Sequence, residues 1–200
     1  MALTSLSKIR RTELVSAAMD VLRSEGVNAT TLERVAQRVG TSKSTVLHYF
    51  DSKKGLFHAT MLYANARLRD EVVTQMRLAR TPSDRLWSIV ATNLSPAVFE
   101  PTTCHNWLAL CVEVSSDEQF ARLQKVIHAR MRSNVKSALV DLVAPADVEP
   151  ITLGITTLID GLWLRSAVNK ESIDAQGAID QMLDYITHRI PGFSITAKGE

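Results

Sequence analysis

From Ser42 to Phe50 the chain reads Ser-Lys-Ser-Thr-Val-Leu-His-Tyr-Phe. On a helix, Val46 and Phe50 lie four apart and share one inward edge. That arrangement leaves Lys43, Ser44, Thr45, Leu47, His48 and Tyr49 toward the outer side or its borders. An ammonium, small hydroxyls, ring donors and one apolar tip suit phosphate oxygens, base edges and the thymine methyl of a DNA duplex. Ser42 is placed to cap the helix that carries them. A rod of this kind lies in the major groove with its N-terminal residues nearest the bases.

The elements needed to hold such a rod are also legible. Leu32, Val35, Ala36 and Val39 recur at i, i+3, i+4 and i+7, which predicts a preceding helix with one apolar face. Thr30 and Glu33 form a capping-box pattern at its start, and Gly40 stands where a left-handed residue ends it. The run is thus a helix, a turn and a second short helix. Downstream, Ser52-Lys53-Lys54 opens another helix whose first amides and cations suit a phosphate. Residues 1–54 hold nine Lys or Arg against five Asp or Glu, whereas the remainder holds fourteen against sixteen. The basic excess therefore sits with the candidate reader, as an electrostatic footprint should.

Taken together, the helix ending near Glu25, Gly26, Thr30-Thr31, the run to His48-Tyr49-Phe50 and Ser52-Lys53-Lys54 resemble the N-terminal domain of TetR-type transcriptional regulators. The resemblance implies that Thr31, Ser42, Lys43, Thr45, Tyr49 and Lys53 face DNA, many of them at phosphates. The chain departs from the family pattern at Ser44, where glycine is frequent, and at Gly55, where an acidic residue is frequent.

At 200 residues, the chain is long enough for this small domain and a larger one. The boundaries expected are 1–54 for the helix-turn-helix domain, 55–192 for a helical ligand-binding and dimerisation domain, and 193–200 for a loose tail. No strand alternation and no internal repeat occur, so the fold class expected is all-α. Helices are predicted over Ser7–Glu25, Ser52–Arg80, Pro82 toward Phe99, Cys104–Val114, Asp117–Val143, Val148–Val168 and Ile173–Ile190.

Several function classes find no support. There is no P-loop, GxSxG, HExxH or glycine-rich dinucleotide turn, and the five histidines are scattered, so neither catalysis nor a cofactor is expected. Cys104 and His105 are adjacent, and Cys104 and Cys111 lie seven apart with no CxxC spacing, which argues against a metal site that would also use His128. Two cysteines supply no disulfide framework. The apolar run Leu153–Leu164 is too short to span a bilayer and contains Asp160, and residues 1–8 carry no long apolar stretch. The expected location is cytoplasmic, with no membrane partner.

The last two long helices predict a homodimer. Ile151–Arg165 is apolar nearly all round and needs cover on more than one side. Ile155, Leu158, Ile159 and Leu162 on this helix, with Ile179, Leu183 and Ile186 on the next, form the expected dimer stripe, and Gly154 and Gly161 allow close helix approach. Two readers then match two half-sites of a palindromic operator. The TetR resemblance places dimer formation on the same two helices.

Leu158–Val168 and, more weakly, Asn106–Leu110 resemble the choline-responsive BetI repressor group within that family, which implies a choline-like cation as effector. Trp107 and Trp163 offer ring faces to such a cation, Asp160 or Glu113 offers counter-charge, and Cys111 lies in the segment after Trp107. A ligand pocket is expected within residues 82–170. Asp160 also fits a structural ion pair with Arg165, Arg130 or His128. The function expected is a ligand-released repressor; the alternative is an architectural or constitutive DNA binder with a solid C-terminal part.

Overall fold

A computed structural model describes residues 2–169 and 173–196, and among them the chain is all helical. Nine helices occur among the described residues: α1 Ala2–Ala29, α2 Leu32–Arg38, α3 Lys43–Phe50, α4 Lys53–Leu78, α5 Pro82–Asn93, α6 Pro101–Glu113, α7 Glu118–Leu139, α8 Pro145–Val168 and α9 Ala175–Arg189. The chain forms two compact units. The first runs to Ala66 and also takes in Ala109–Ala121; the second comprises Arg67–Leu108 and the chain from Arg122 onward. The expected cut at residue 54 falls in the first turn of α4, so the compact units and the expected domains divide the chain differently. Helices α4, α6 and α7 each pass from one unit into the other.

The first unit is built around Leu14, Ala18 and Val21 of α1, Leu32 and Val35 of α2, Val46 and Phe50 of α3, and Leu56 of α4. Local chemistry punctuates these helices. Gly26 breaks α1 at φ 82°, a conformation open to glycine at little cost. Gly40 adopts φ 67° after α2, as its position in the sequence predicts. One capping assignment shifts by a residue. The N-cap of α2 is Thr31, whose Oγ1 accepts from the Arg34 amide at 3.1 Å. Thr30 is buried instead, and its hydroxyl donates to the Gly26 carbonyl at 2.8 Å. Glu33 reaches Lys43 and keeps a hydrogen bond with the Thr31 side chain.

The second unit packs α5, α8 and α9 around Leu86, Ile89, Val90, Ile155, Met182 and Ile186. Several ends differ from the predicted ones. Helix α5 stops at Asn93 rather than near Phe99, because Leu94 caps it, and Phe99 is then buried beside Trp163. Helices α6 and α8 begin at Pro101 and Pro145, earlier than expected, since proline's fixed φ suits a first helical position. The expected loose tail holds at its start: Phe193 packs against the core, and the Thr196 amide and hydroxyl donate to the Asp84 carboxylate at 2.7 and 2.9 Å. Residues 197–200 lie outside the described residues.

Helix α8 is long and apolar enough, by length and composition, to cross a membrane. Its inner face is spent on the core of the second unit. Ile155, Ile159 and Leu162, with Ile186 of α9, are at most 4% exposed within their own chain. Four of the seven residues expected at a dimer interface are therefore interior, because a helix that is apolar all round turns its best-packed side to its own core. Leu158 and Ile179 are half-buried against that core, and Leu183 is half-buried. The glycine pair divides as well: a Cβ on Gly154 would collide with the Tyr185 hydroxyl of α9, whereas one on Gly161 would meet open space.

Candidate nucleic-acid interface and effector unit

Helix α3 is held by its inner edge and open on the other. Val46 and Phe50 are buried in the first unit, and Leu47 and Tyr49 pack partly against the same core. Ser42, Lys43, Ser44 and His48 are exposed, and Thr45 is half-buried. Ser42 caps the helix, accepting from the Thr45 amide at 3.1 Å. Its hydroxyl also lies 2.8 Å from that of Ser44 and 2.9 Å from that of Thr45, so three hydroxyls gather at the helix start. His48 meets Tyr49 edge to face at 5.3 Å. The helix ends at Asp51, whose φ of 60° turns the chain into α4.

Ion pairs dispose of much of the local basic excess. Arg34 and Arg38 both reach Glu25, at 2.8 and 3.5 Å, and the Arg34 guanidinium holds the Glu25 carboxyl below its usual range. Lys43 lies 2.6 Å from Glu33. Lys54 is exposed and lies, within its own unit, 3.0 Å from Asp117 and 3.4 Å from Glu113, and Asp117 raises the lysine's pKa. Of the two exposed lysines at the start of α4, Lys53 is the one without an ion-pair partner among the described residues. Thr31, half-buried, and Lys53, exposed, thus flank the exposed face of α3 in sequence. The lock at Lys54 is reinforced by Phe57 and His58, whose rings lie 5.7 and 5.2 Å from Phe120. The sequence suggested a phosphate for Lys54 and not its pairing with Asp117, since nothing local ties position 54 to a turn more than fifty residues later.

The residues expected to hold a ligand divide between the units. Glu113 belongs to the first unit and pairs with Lys54, and Cys111 is half-buried in that unit. Trp107, Asp160 and Trp163 belong to the second. Trp163 stands at the centre of an aromatic trio, edge to face with Trp107 at 5.8 Å and with Phe99 at 6.2 Å, and its indole N–H donates to the Asn93 carbonyl at 3.2 Å. Asp160 finds His128, one of its three expected partners, with Nε2 3.6 Å from Oδ2. Burial pushes the Asp160 carboxyl up, and His128 draws it partly back. Gln124 lies 2.9 Å from the same imidazole nitrogen.

A shallow cleft open to solvent lies between α4, α5 and α7. Arg69, Asn93, Arg130 and Asn134 stand over a floor that includes Val72 and Ile89. One wall comes from α4, upstream of the expected pocket stretch 82–170. Arg130 entered the sequence reading only as a candidate partner of Asp160, and its place between Ile127 and Met131 on the apolar stripe of α7 was a usable signal for the cleft. Cys104 is fully buried, and burial pushes its thiol up to about 11, so it carries no reactive thiolate. Among the described residues, no three His, Cys, Asp or Glu side chains gather as a metal ion would require.

Comparison with known proteins joins the two units. Residues 14–60 match the bacterial regulatory proteins of the tetR family, and residues 82–191 match the C-terminal domain of BetI-type transcriptional repressors. The HTH-type transcriptional regulator BetI of Rhizobium meliloti is 32% identical over 90% of this chain and 89% of its own length. That of Burkholderia ambifaria is 36% identical over 90% of this chain and 94% of its own. Among solved structures, a TetR transcription regulator from Haloarcula marismortui superposes with a TM-score of 0.82 at 21% identity, covering 92% of this chain and 99% of that one. A transcriptional regulator from Saccharomonospora viridis in complex with choline superposes with a TM-score of 0.81 at 18% identity, covering 92% and 98%. These two likenesses speak to the fold alone. An exposed capped helix in the basic segment 1–54, and two family matches that together span most of the sequence, lead to one conclusion: the chain is a member of the TetR family of transcriptional regulators, a non-enzymatic DNA-binding family, with a BetI-type C-terminal domain.

Proposed function

We propose that this regulator is a cytoplasmic homodimeric repressor that occupies a palindromic operator and is released by a small molecule bound in its second unit. The observation that carries the reading is the outward face of α3. In this reading Ser42, Lys43, Ser44, Thr45, Leu47, His48 and Tyr49 meet the major groove, and Thr31 and Lys53 take phosphates. The three hydroxyls gathered at the start of α3 and the unpaired Lys53 support it.

Dimerisation uses the outer side of α8. Leu153, Thr157, Gly161, Leu164 and Val168 recur along one exposed face, and the three large ones are 55, 45 and 73% exposed. Leu183 of α9 extends this face, with Asp180, Asp184 and Thr187 as a polar rim. An isologous pairing of two such faces supplies the two readers that half-sites about 34 Å apart, one turn of DNA, require. The ligand acts through α4, α6 and α7, the helices shared by both units. Because Lys54, Glu113, Asp117 and Phe120 bind the α6–α7 corner to the base of α4, a shift of α6 or α7 in the second unit carries the reader with it. The ligand's effect equals its differential affinity for the two states.

A quaternary-ammonium effector is the second reading, favoured by the choline complex of the Saccharomonospora viridis relative and by the Trp107–Trp163 pair with Asp160 nearby in sequence. Each ring face offered to such a cation contributes about 0.5–2 kcal/mol. The test is to select bound fragments from genomic DNA with the purified protein and titrate the enriched fragment with and without choline. The proposal expects a two-fold symmetric site and, for the second reading, weaker binding with choline. A protein indifferent to every duplex at low salt overturns it.

A further inference from the structure

We propose that Lys8 and Arg11 of α1 form, with Lys53, a second phosphate-binding strip that carries the DNA contact past the end of α3. The strip rests on the reading that α3 enters the major groove. Arg11 stands where the inward stripe of Leu14, Ala18 and Val21 would continue toward the start of α1. It is exposed there, because α1 runs on beyond the edge of the first unit's core. Its guanidinium lies 4.9 Å over the ring of Phe50, the last residue of α3. Lys53 follows across a tight turn in which the Ser52 amide donates to the Phe50 carbonyl at 2.6 Å. The Phe50 ring thus ties the start of α1 to the turn that presents Lys53. Lys8 lies one turn earlier than Arg11 on the same face of α1, and it too is exposed.

Charge decides what this strip can hold. Arg10, Arg34, Arg38, Lys43 and Lys54 all reach carboxylates. Lys8, Arg11 and Lys53 make no ion pair among the described residues, and Asp51, the carboxylate of the turn itself, pairs with none of them. The strip is therefore net positive and continuous with the exposed face of α3. A duplex carries one negative charge per about 1.7 Å of its axis, so a basic row beside a groove-reading helix meets a line of phosphates. The aromatic contact prepares Arg11 for that role. A ring attracts a guanidinium without taking up its N–H groups as a carboxylate would, so the planar fork stays open to phosphate oxygens. It also orders the side chain before DNA arrives, which lowers the entropy lost on binding.

The test is the salt dependence of binding by the full chain, read by fluorescence anisotropy between about 50 and 200 mM KCl, with a synthetic mixed-sequence duplex long enough for two half-sites. Arg11→Met and Lys8→Met should each flatten the slope of log affinity against log salt by about 0.9, one phosphate contact, and the double variant by about twice that. Arg11→Lys, which keeps the charge, should leave the slope in place. A purely structural role for Arg11 predicts a lowered Tm with the slope of Arg11→Met unmoved, and that result overturns the proposal. If Arg11→Met does not fold, Lys8→Met decides, because it leaves the Phe50 contact intact; a slope unmoved by that change then overturns the strip. Should Lys53→Ala flatten the slope while neither α1 variant does, the groove reading stands and the strip falls. A wild-type chain indifferent to the duplex at low salt overturns both.

Discussion

If the dimer forms on the outer face of α8, Leu164→Asp should split it while leaving each chain folded. Leu153 and Leu164 are 55 and 45% exposed in the single chain, so pairing buries roughly half of each. At about 2 kcal/mol for a fully buried leucine, each contributes about 1 kcal/mol, and four such side chains in a two-fold interface contribute about 4 kcal/mol. Val168, 73% exposed, adds about 1 kcal/mol per copy. Leu164→Asp removes about 2 kcal/mol of this and sets two carboxylates against an apolar surface, which costs at least as much again. A loss of about 4 kcal/mol raises the dimer dissociation constant about a thousandfold. Ile155→Ala is the control on the other face. Ile155 is wholly buried in its own unit, so the change opens a cavity worth about 2–5 kcal/mol and lowers Tm by about 10 °C, with the dimer constant unmoved. Sedimentation equilibrium reads association and a thermal melt reads stability. A dimer that survives Leu164→Asp but dissociates with Ile155→Ala would place the interface on the inner stripe and refute the reasoning.

Other outcomes follow from side chains at the reader and the tail. Lys53→Ala should weaken binding to all duplexes alike and flatten the plot of log affinity against log salt by about 0.9, one phosphate contact; altered sequence preference in a binding-site selection would contradict a phosphate role. Glu33→Gln frees Lys43 from its 2.6 Å partner and should tighten operator binding roughly a few-fold at low salt, with a steeper salt slope; weaker binding in a fluorescence titration would mean that the pair positions α3. Asp84 holds Thr81 and Thr196, and the Thr196 amide is the first cause of its lowered pKa. A lowered carboxyl stabilises the fold above its ordinary value of 3.8 and loses that contribution as pH falls through the folded value. Asp84→Ala should therefore be about 1 kcal/mol less stable at pH 7, the cost of a lost cap. The gap should close in denaturant melts below pH 4, and a gap independent of pH would rule the carboxylate out.

How far the sequence reached is clearest at the reader. The apolar spacing of α2 and α3, the cap at Ser42 and the turn at Gly40 are local features, decided by residues within four positions of one another, and they stand in the fold where periodicity predicts them. Local rules also set the limit. Thr30 and Thr31 are both good caps, and the choice between them fell to burial: Thr30 is turned into the core, with its hydroxyl on the Gly26 carbonyl, and Thr31 is left to cap.

The second unit divides differently. An apolar helix was legible over residues 148–168, three residues short of its true start, since most side chains between Ile151 and Leu164 declare it. Which side of it would face inward was not, because a helix that is apolar all round has no pattern to read. Packing decided that Ile155, Ile159 and Leu162 belong to the chain's own core and that Leu153, Leu164 and Val168 remain outside. Charge behaves the same way. Sequence alone established the basic excess of residues 1–54, but only tertiary proximity gave Lys54 to Asp117, Lys43 to Glu33 and Arg34 to Glu25, and left Lys53 without an ion-pair partner among the described residues. Periodicity records what neighbours along a helix share; an ion pair depends on distances of a few ångströms between segments far apart in the chain, and those exist only once the helices have packed.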